Sequence, residues 1–152
     1  MSNGNIHIAE QLRLAYEGEA WHGPALGELL AGMTAERAAA KPIHNVHSIW
    51  EIVVHITAWQ DVVRRRLAGE AVELTTEEDW SVVNDKSEAT WKDTITLLEQ
   101  SLNKLIKAIT EFDEARLEST AAGKEYSNRF MIFGALQHNL YHAGQIALLK
   151  KP

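Results

Sequence analysis

His138 and His142 stand four residues apart, and His55 lies far upstream of them. On a helix, an i, i+4 pair stacks two imidazoles on one face, close enough to share one ion. Each ring can then offer a nitrogen at about 2.0–2.1 Å, as in zinc sites. Both rings fall on the stripe of a C-terminal helix that also carries Met131 and Ala135 and should face the core. Two imidazoles buried there need partners, and a divalent transition metal is one such partner. His55 is the natural third ligand, because it sits beside the apolar seam formed by Ile52, Ile56 and Trp59. The competing reading is three core histidines satisfied by ordinary hydrogen bonds, and the residues alone leave both readings open.

The remaining histidines carry weaker signals. His7 is expected in solvent, and His44 and His47 are expected to serve packing or capping around a helix start. His22, in Trp21-His22-Gly23-Pro24, could approach the site from the first connection. Glu51 is one turn before His55 and is the one candidate base or ligand-orienting carboxylate. It competes with a second role, because Ser48 followed by Glu51 reads as a capping box, and the cap is the favoured reading. Trp21, Trp50 and Trp59 are candidate pocket walls, although tryptophan is more often core.

The elements that must position these residues are helical. Ile8, Leu12 and Ala15 mark a helix from about Asn5 to Glu17, broken by Gly18 and Gly23. Pro24 suits the first turn of a short helix, and Thr34 opens another that Pro42 stops. A long helix begins near His47 or Ser48 and fades at Leu67 to Gly69. The acidic stretch from Glu70 to Lys86 reads as an ordered loop anchored by Trp80. Trp91, Ile95, Leu98, Leu102, Leu105 and Ile109 form the seam of a helix from Glu88 to Thr110. After a connection from Glu111 to Asn128, a last helix runs from Arg129 to Leu149, with Gln145 or Ile146 closing its inward stripe. The expected fold is a single all-α domain over residues 1–152: an antiparallel four-helix bundle with a short extra helical element.

Bulk properties narrow the function. The 152 residues contain no cysteine, which excludes disulfides, thiolate ligands and a cysteine nucleophile. The formal net charge of -6 argues against nucleic-acid binding. Arg64, Arg65 and Arg66 form the one basic cluster and are expected to be a solvated helix end. No stretch approaches ~18 uninterrupted apolar residues, so no membrane span is expected. Residues 1–4 lack the pattern of a signal peptide, which makes a cytoplasmic location the expectation.

Three segments together resemble the DinB-like superfamily, which includes YfiT-type proteins. They are Gly18-Glu19-Ala20-Trp21-His22-Gly23-Pro24, His47-Ser48-Ile49-Trp50-Glu51 leading to His55-Ile56-Thr57-Ala58-Trp59, and His138-Asn139-Leu140-Tyr141-His142-Ala143-Gly144-Gln145-Ile146. The resemblance implies a four-helix bundle with a long crossover connection, a homodimer, and a nickel or zinc ion held at His55, His138 and His142. Characterised enzymes that look similar transfer a small thiol, such as bacillithiol or mycothiol, to an electrophile. The expected activity is therefore metal-dependent thiol transfer. A hydrolase using metal-bound hydroxide and a non-catalytic metal-binding bundle are the alternatives.

Overall fold

The computed structural model describes residues 4–152, so residues 1–3 of the N-terminal reading above lie outside it. The described residues form α1 (Gly4–Glu17), α2 (Leu26–Leu30), α3 (Ala35–Ala39), α4 (Ile49–Leu67), α5 (Thr76–Asp79), α6 (Glu88–Thr110) and α7 (Asn128–Leu149). A single 3-10 turn (Glu114–Arg116) interrupts the last connection. No strand is present among them; the one β-bridge joins Thr120 to Ser127.

Side-chain caps start most of these helices where the sequence places them. The Ser48 hydroxyl accepts the Glu51 amide at 3.2 Å, and the Glu51 carboxylate accepts the Ser48 amide at 2.8 Å. Each satisfies a backbone donor that the first turn would otherwise leave bare. Ser87 and Ser127 cap α6 and α7 with their hydroxyls alone, accepting from the Thr90 and Phe130 amides. Pro24 precedes rather than opens α2, because Ala25 is the residue that adopts the cap conformation.

The long helices pack as two pairs on a shared partner set: α4 lies against both α6 and α7, and α1 lies against the same two. Helices α1 and α4 thus touch common neighbours, and α2 and α3 occupy the connection between them. One end of the core gathers Trp50, Trp91, Leu98, Ile56 and Ile146. The other gathers Leu12, Leu105, Ile109 and Ile132. The two indoles are satisfied internally, Trp50 Nε1 donating to Thr94 Oγ1 and Trp91 Nε1 to the Met33 carbonyl. Buried Asn5 ties α1 to the end of α6 by donating to the carbonyls of Ile109 and Phe112.

Two expectations change. The stretch from Glu70 to Lys86 is not wholly loop, because Thr75 and Glu78 form a second capping box and nucleate the one-turn α5. The triple-arginine end of α4 is not wholly solvated. Arg64 pairs with Asp61 and Arg65 with Glu70 at the surface, but the Arg66 side chain is only 2% exposed. Successive residues turn by about 100° on a helix, so the third of three neighbours can face inward while the others do not.

Candidate metal centre

Helices α4 and α7 bring the three histidines together. His55 Nε2 lies 3.0 Å from His138 Nε2, and His142 Nε2 lies 3.1 Å from the same atom. One nitrogen from each ring falls within 4.8 Å of the other two. Nitrogens at about 2.0–2.1 Å from one ion sit about 3.0–3.4 Å apart, so the spacing suits a common ligand.

Hydrogen bonds at the far side of two rings set their tautomers. His55 Nδ1 is 2.8 Å from the backbone carbonyl of Asp79 and 3.1 Å from its carboxylate. Both groups only accept, so Nδ1 carries the hydrogen and Nε2 of the neutral ring presents a lone pair. His142 Nδ1 donates to the Gln145 side-chain oxygen at 2.6 Å, which again leaves Nε2 bare. His138 Nε2 therefore faces two lone pairs. A single ring hydrogen on it can serve only one of them well, which leaves a second pair of nitrogens opposed. A cation at the centre removes that conflict, and the donor set fits one.

Electrostatics keep the rings available. Burial, followed by the charges of neighbouring His142 and His55, pushes the His138 imidazole down to about 3. Burial also lowers His142, against a partial offset from its hydrogen bond to Gln145. His138 is therefore neutral at pH 7, the form a metal requires, and burial biases His142 in the same direction.

Helix α5 supplies what surrounds His55. Trp59 Nε1 donates to Asp79 Oδ1 at 2.7 Å, which fixes the carboxylate that holds His55. The Trp80 indole stacks on His55 at 3.8 Å between ring centroids, and the His47 imidazole stacks on the same indole at 3.7 Å. Carboxylate–histidine pairs of this kind orient metal ligands and raise their basicity. Neither Asp79 nor Gln145 is assigned this role by the sequence reading. The Thr75-x-x-Glu78 spacing was the available signal, since it marks a helix start whose cap Thr75 precedes Asp79 and Trp80 by four and five residues.

The other expected residues fall elsewhere. Glu51 is spent on the start of α4, where it also meets Lys41 Nζ at 2.9 Å and His47 Nδ1 at 3.4 Å. Burial pushes its carboxyl up, but the contacts to Lys41, Ser48 and His47 outweigh this and hold it below the usual carboxylate range. The structure thus places the Glu51 carboxylate in the cap of α4 and beside Lys41. His22 and Trp21 are exposed and line a separate shallow pocket with Leu136 and Leu140. His7 and His44 are exposed. Trp50 is core, so of the three tryptophans considered as walls only Trp59 lines the cavity beside the triad, joined by Trp80.

That cavity has a volume of about 530 Å³ and runs between α4 and α7, with all three histidines in its wall. Its size is that of a small-molecule site, and its lining is mainly apolar and aromatic.

A helical protein with three convergent imidazoles at the edge of an aromatic cavity is a candidate metalloprotein. The sequence matches the DinB superfamily over residues 20–146, and the chain belongs to that superfamily. Neither a curated protein nor a solved structure matches the chain.

Proposed function

We propose that the protein is a four-helix bundle of the DinB type that binds one nickel or zinc ion at His55, His138 and His142 and transfers a small thiol to an electrophile. The observation that carries this reading is the convergence of three Nε2 atoms, two of them held as lone-pair donors by Asp79 and Gln145, at the wall of an apolar cavity. A bound divalent ion would supply stabilisation of a thiolate and leave a coordination position for it.

The chain's own residues do the rest. Asp79 fixes the orientation of His55, and Trp59 fixes Asp79. Trp80 covers the outer face of the cluster by stacking on His55. The aromatic cavity accommodates the carbon skeleton of an electrophile and limits the water around the reacting atoms. Because the chain has no cysteine, the sulfur comes from a free small thiol. A hydrolytic reading is less well supported, since Glu51, the base considered for it, is engaged at the start of α4.

The setting is a cytoplasmic homodimer in this reading. No helix among the described residues is long and apolar enough to cross a membrane. Exposed Phe133, Tyr141 and Leu148 on α7 offer a face for a second copy.

The test combines metal analysis with a conjugation assay. Protein purified without a metal-binding tag should contain about one nickel or zinc per chain. With a small thiol it should convert 1-chloro-2,4-dinitrobenzene to the thioether and chloride faster than the thiol alone. The His138→Ala variant should lose both metal and activity. Metal-independent conjugation, or activity unchanged in that variant, overturns the reading.

A further inference from the structure

The cavity that begins at the histidines ends at Arg66 and Tyr126. Arg66 follows His55 by eleven residues on α4, about 16 Å along the axis at 1.5 Å per residue, and on nearly the same helix face. The two ends of the cavity are thus chemically different. One offers imidazole nitrogens and the other a guanidinium.

The guanidinium is fixed rather than mobile. Arg66 Nε and Nη2 donate to the Val72 carbonyl at 3.1 and 2.7 Å, and Nη1 donates to the Tyr126 hydroxyl oxygen at 2.9 Å. The edge of Trp59's surroundings is closed by the same group, which lies 5.7 Å from that ring's centroid. Its charge is only partly balanced. Glu73 reaches Nη2 at 3.3 Å but is itself largely exposed and also paired with Lys124. A buried cation in this state favours a further anion nearby, because the low local dielectric strengthens the attraction.

Tyr126 is the group positioned to meet that anion. Its oxygen accepts from Arg66, and its own O–H has no acceptor among the described residues. Unlike Arg66, it is only half-buried, and it stands in the cavity wall. A phenol whose oxygen is polarised by a guanidinium is a stronger donor than a free one.

We infer that the Tyr126 hydroxyl, backed by Arg66, is a subsite for the carboxylate of an elongated apolar ligand whose other end lies at the three histidines. This rests on the reading above only in treating that ligand as the electrophilic substrate; recognition of the carboxylate needs no metal.

The experiment is a pair of calorimetric titrations on the full chain, stripped of metal and held at pH 8. The probes are 4-phenylbutanoate and 4-phenylbutan-1-ol, which share a skeleton and differ in the anionic end. The carboxylate should bind at least tenfold more tightly than the alcohol. In Tyr126→Phe and Arg66→Met that preference should fall to threefold or less. Tyr126→Phe removes one oxygen and keeps the proposal testable if Arg66→Met does not fold. Equal affinity for the two probes, no saturable binding of either, or a preference retained in Tyr126→Phe overturns the subsite. Failure of thiol transfer alone would leave these titrations unaffected and would count against the reaction only.

Discussion

The Trp80 indole lies nearly parallel to the His55 imidazole, 5° between planes and 3.8 Å between centroids. The contact joins a residue of the connection after α4 to a ring in the middle of α4. It makes the position of His55 dependent on a segment that contributes no nitrogen to the cluster. Replacing Trp80 with alanine should therefore weaken metal binding without removing a ligand. Aromatic pairs are worth about 0.5–1.5 kcal/mol beyond area burial, so a loss of about two- to tenfold in affinity is expected. Competition against a chromophoric chelator would measure it. Affinity equal to that of the unaltered protein would show that the stack does not orient the ring.

Asp79 and Glu51 make a contrasting pair. Asp79 holds the Nδ1 hydrogen of His55, whereas Glu51 holds the first turn of the same helix. Asp79→Asn should lower metal affinity by about tenfold, the low end of the range for residues that support ligands, because the Asp79 backbone carbonyl still accepts from Nδ1. Its effect on urea stability should be small. Glu51→Gln should do the reverse: metal affinity within threefold, and a stability loss of about 0.5–1 kcal/mol from the weakened cap. An exchange of these two phenotypes would return Glu51 to the role of ligand-orienting carboxylate.

The difference between the two acids also shows how far the sequence could be read. Periodicity located the helices because amphipathic spacing repeats over many residues, and α6 begins and ends at the expected Glu88 and Thr110. The triad was legible because His138 and His142 share a helix and His55 sits on a seam. Asp79 was not, because it approaches His55 across 24 residues of chain through a one-turn helix too short to show periodicity. Arg66 was missed for another reason. A run of three arginines suggests solvent, although Arg66 shares the face of His55, and Tyr126 and the Val72 carbonyl, which hold its guanidinium, lie far along the chain or in a loop.

The depressed basicity of His138 and His142 predicts how the metal-free protein responds to acid. A histidine in the unfolded chain takes up its proton near pH 6.5, whereas His138 in the folded chain does so at about 3. Between these values the unfolded state binds the additional proton. The stabilisation is therefore complete above pH 6.5 and declines as pH falls towards 3. The slope is at most about 1.4 kcal/mol per pH unit for one ring, and the part of His138 that meets solvent narrows the pH range over which it acts. Urea unfolding of metal-free protein at pH 7.5 and 5.0 should show a lower midpoint at pH 5.0, and His138→Gln should reduce that difference. A difference of the same size in the variant would place the acid sensitivity elsewhere.

Helix α7 is apolar on the side away from the core as well as the side towards it. At about 100° per residue, Phe130, Phe133, Tyr141 and Leu148 fall within a sector of about 80°, and all four are exposed, Leu148 by 71%. The buried Ile132, Ala135, His142 and Ile146 lie outside that sector. Exposed Gln137 lies in the same sector, so the face is four apolar side chains around one polar residue, and exposed apolar side chains grouped on one helix face mark an association site. A second copy of the chain, pairing α7 with α7 about a two-fold axis, would bury the same residues from each side. Sedimentation equilibrium should then give twice the chain mass for the unaltered protein, and Leu148→Glu with Phe133→Glu should give one chain mass with helical content retained. These positions are remote in role from the three imidazoles, so metal content should stay near one per chain in the double variant. A single-chain mass for the unaltered protein across the micromolar range would refute the pairing and leave the α7 face without a partner of its own kind.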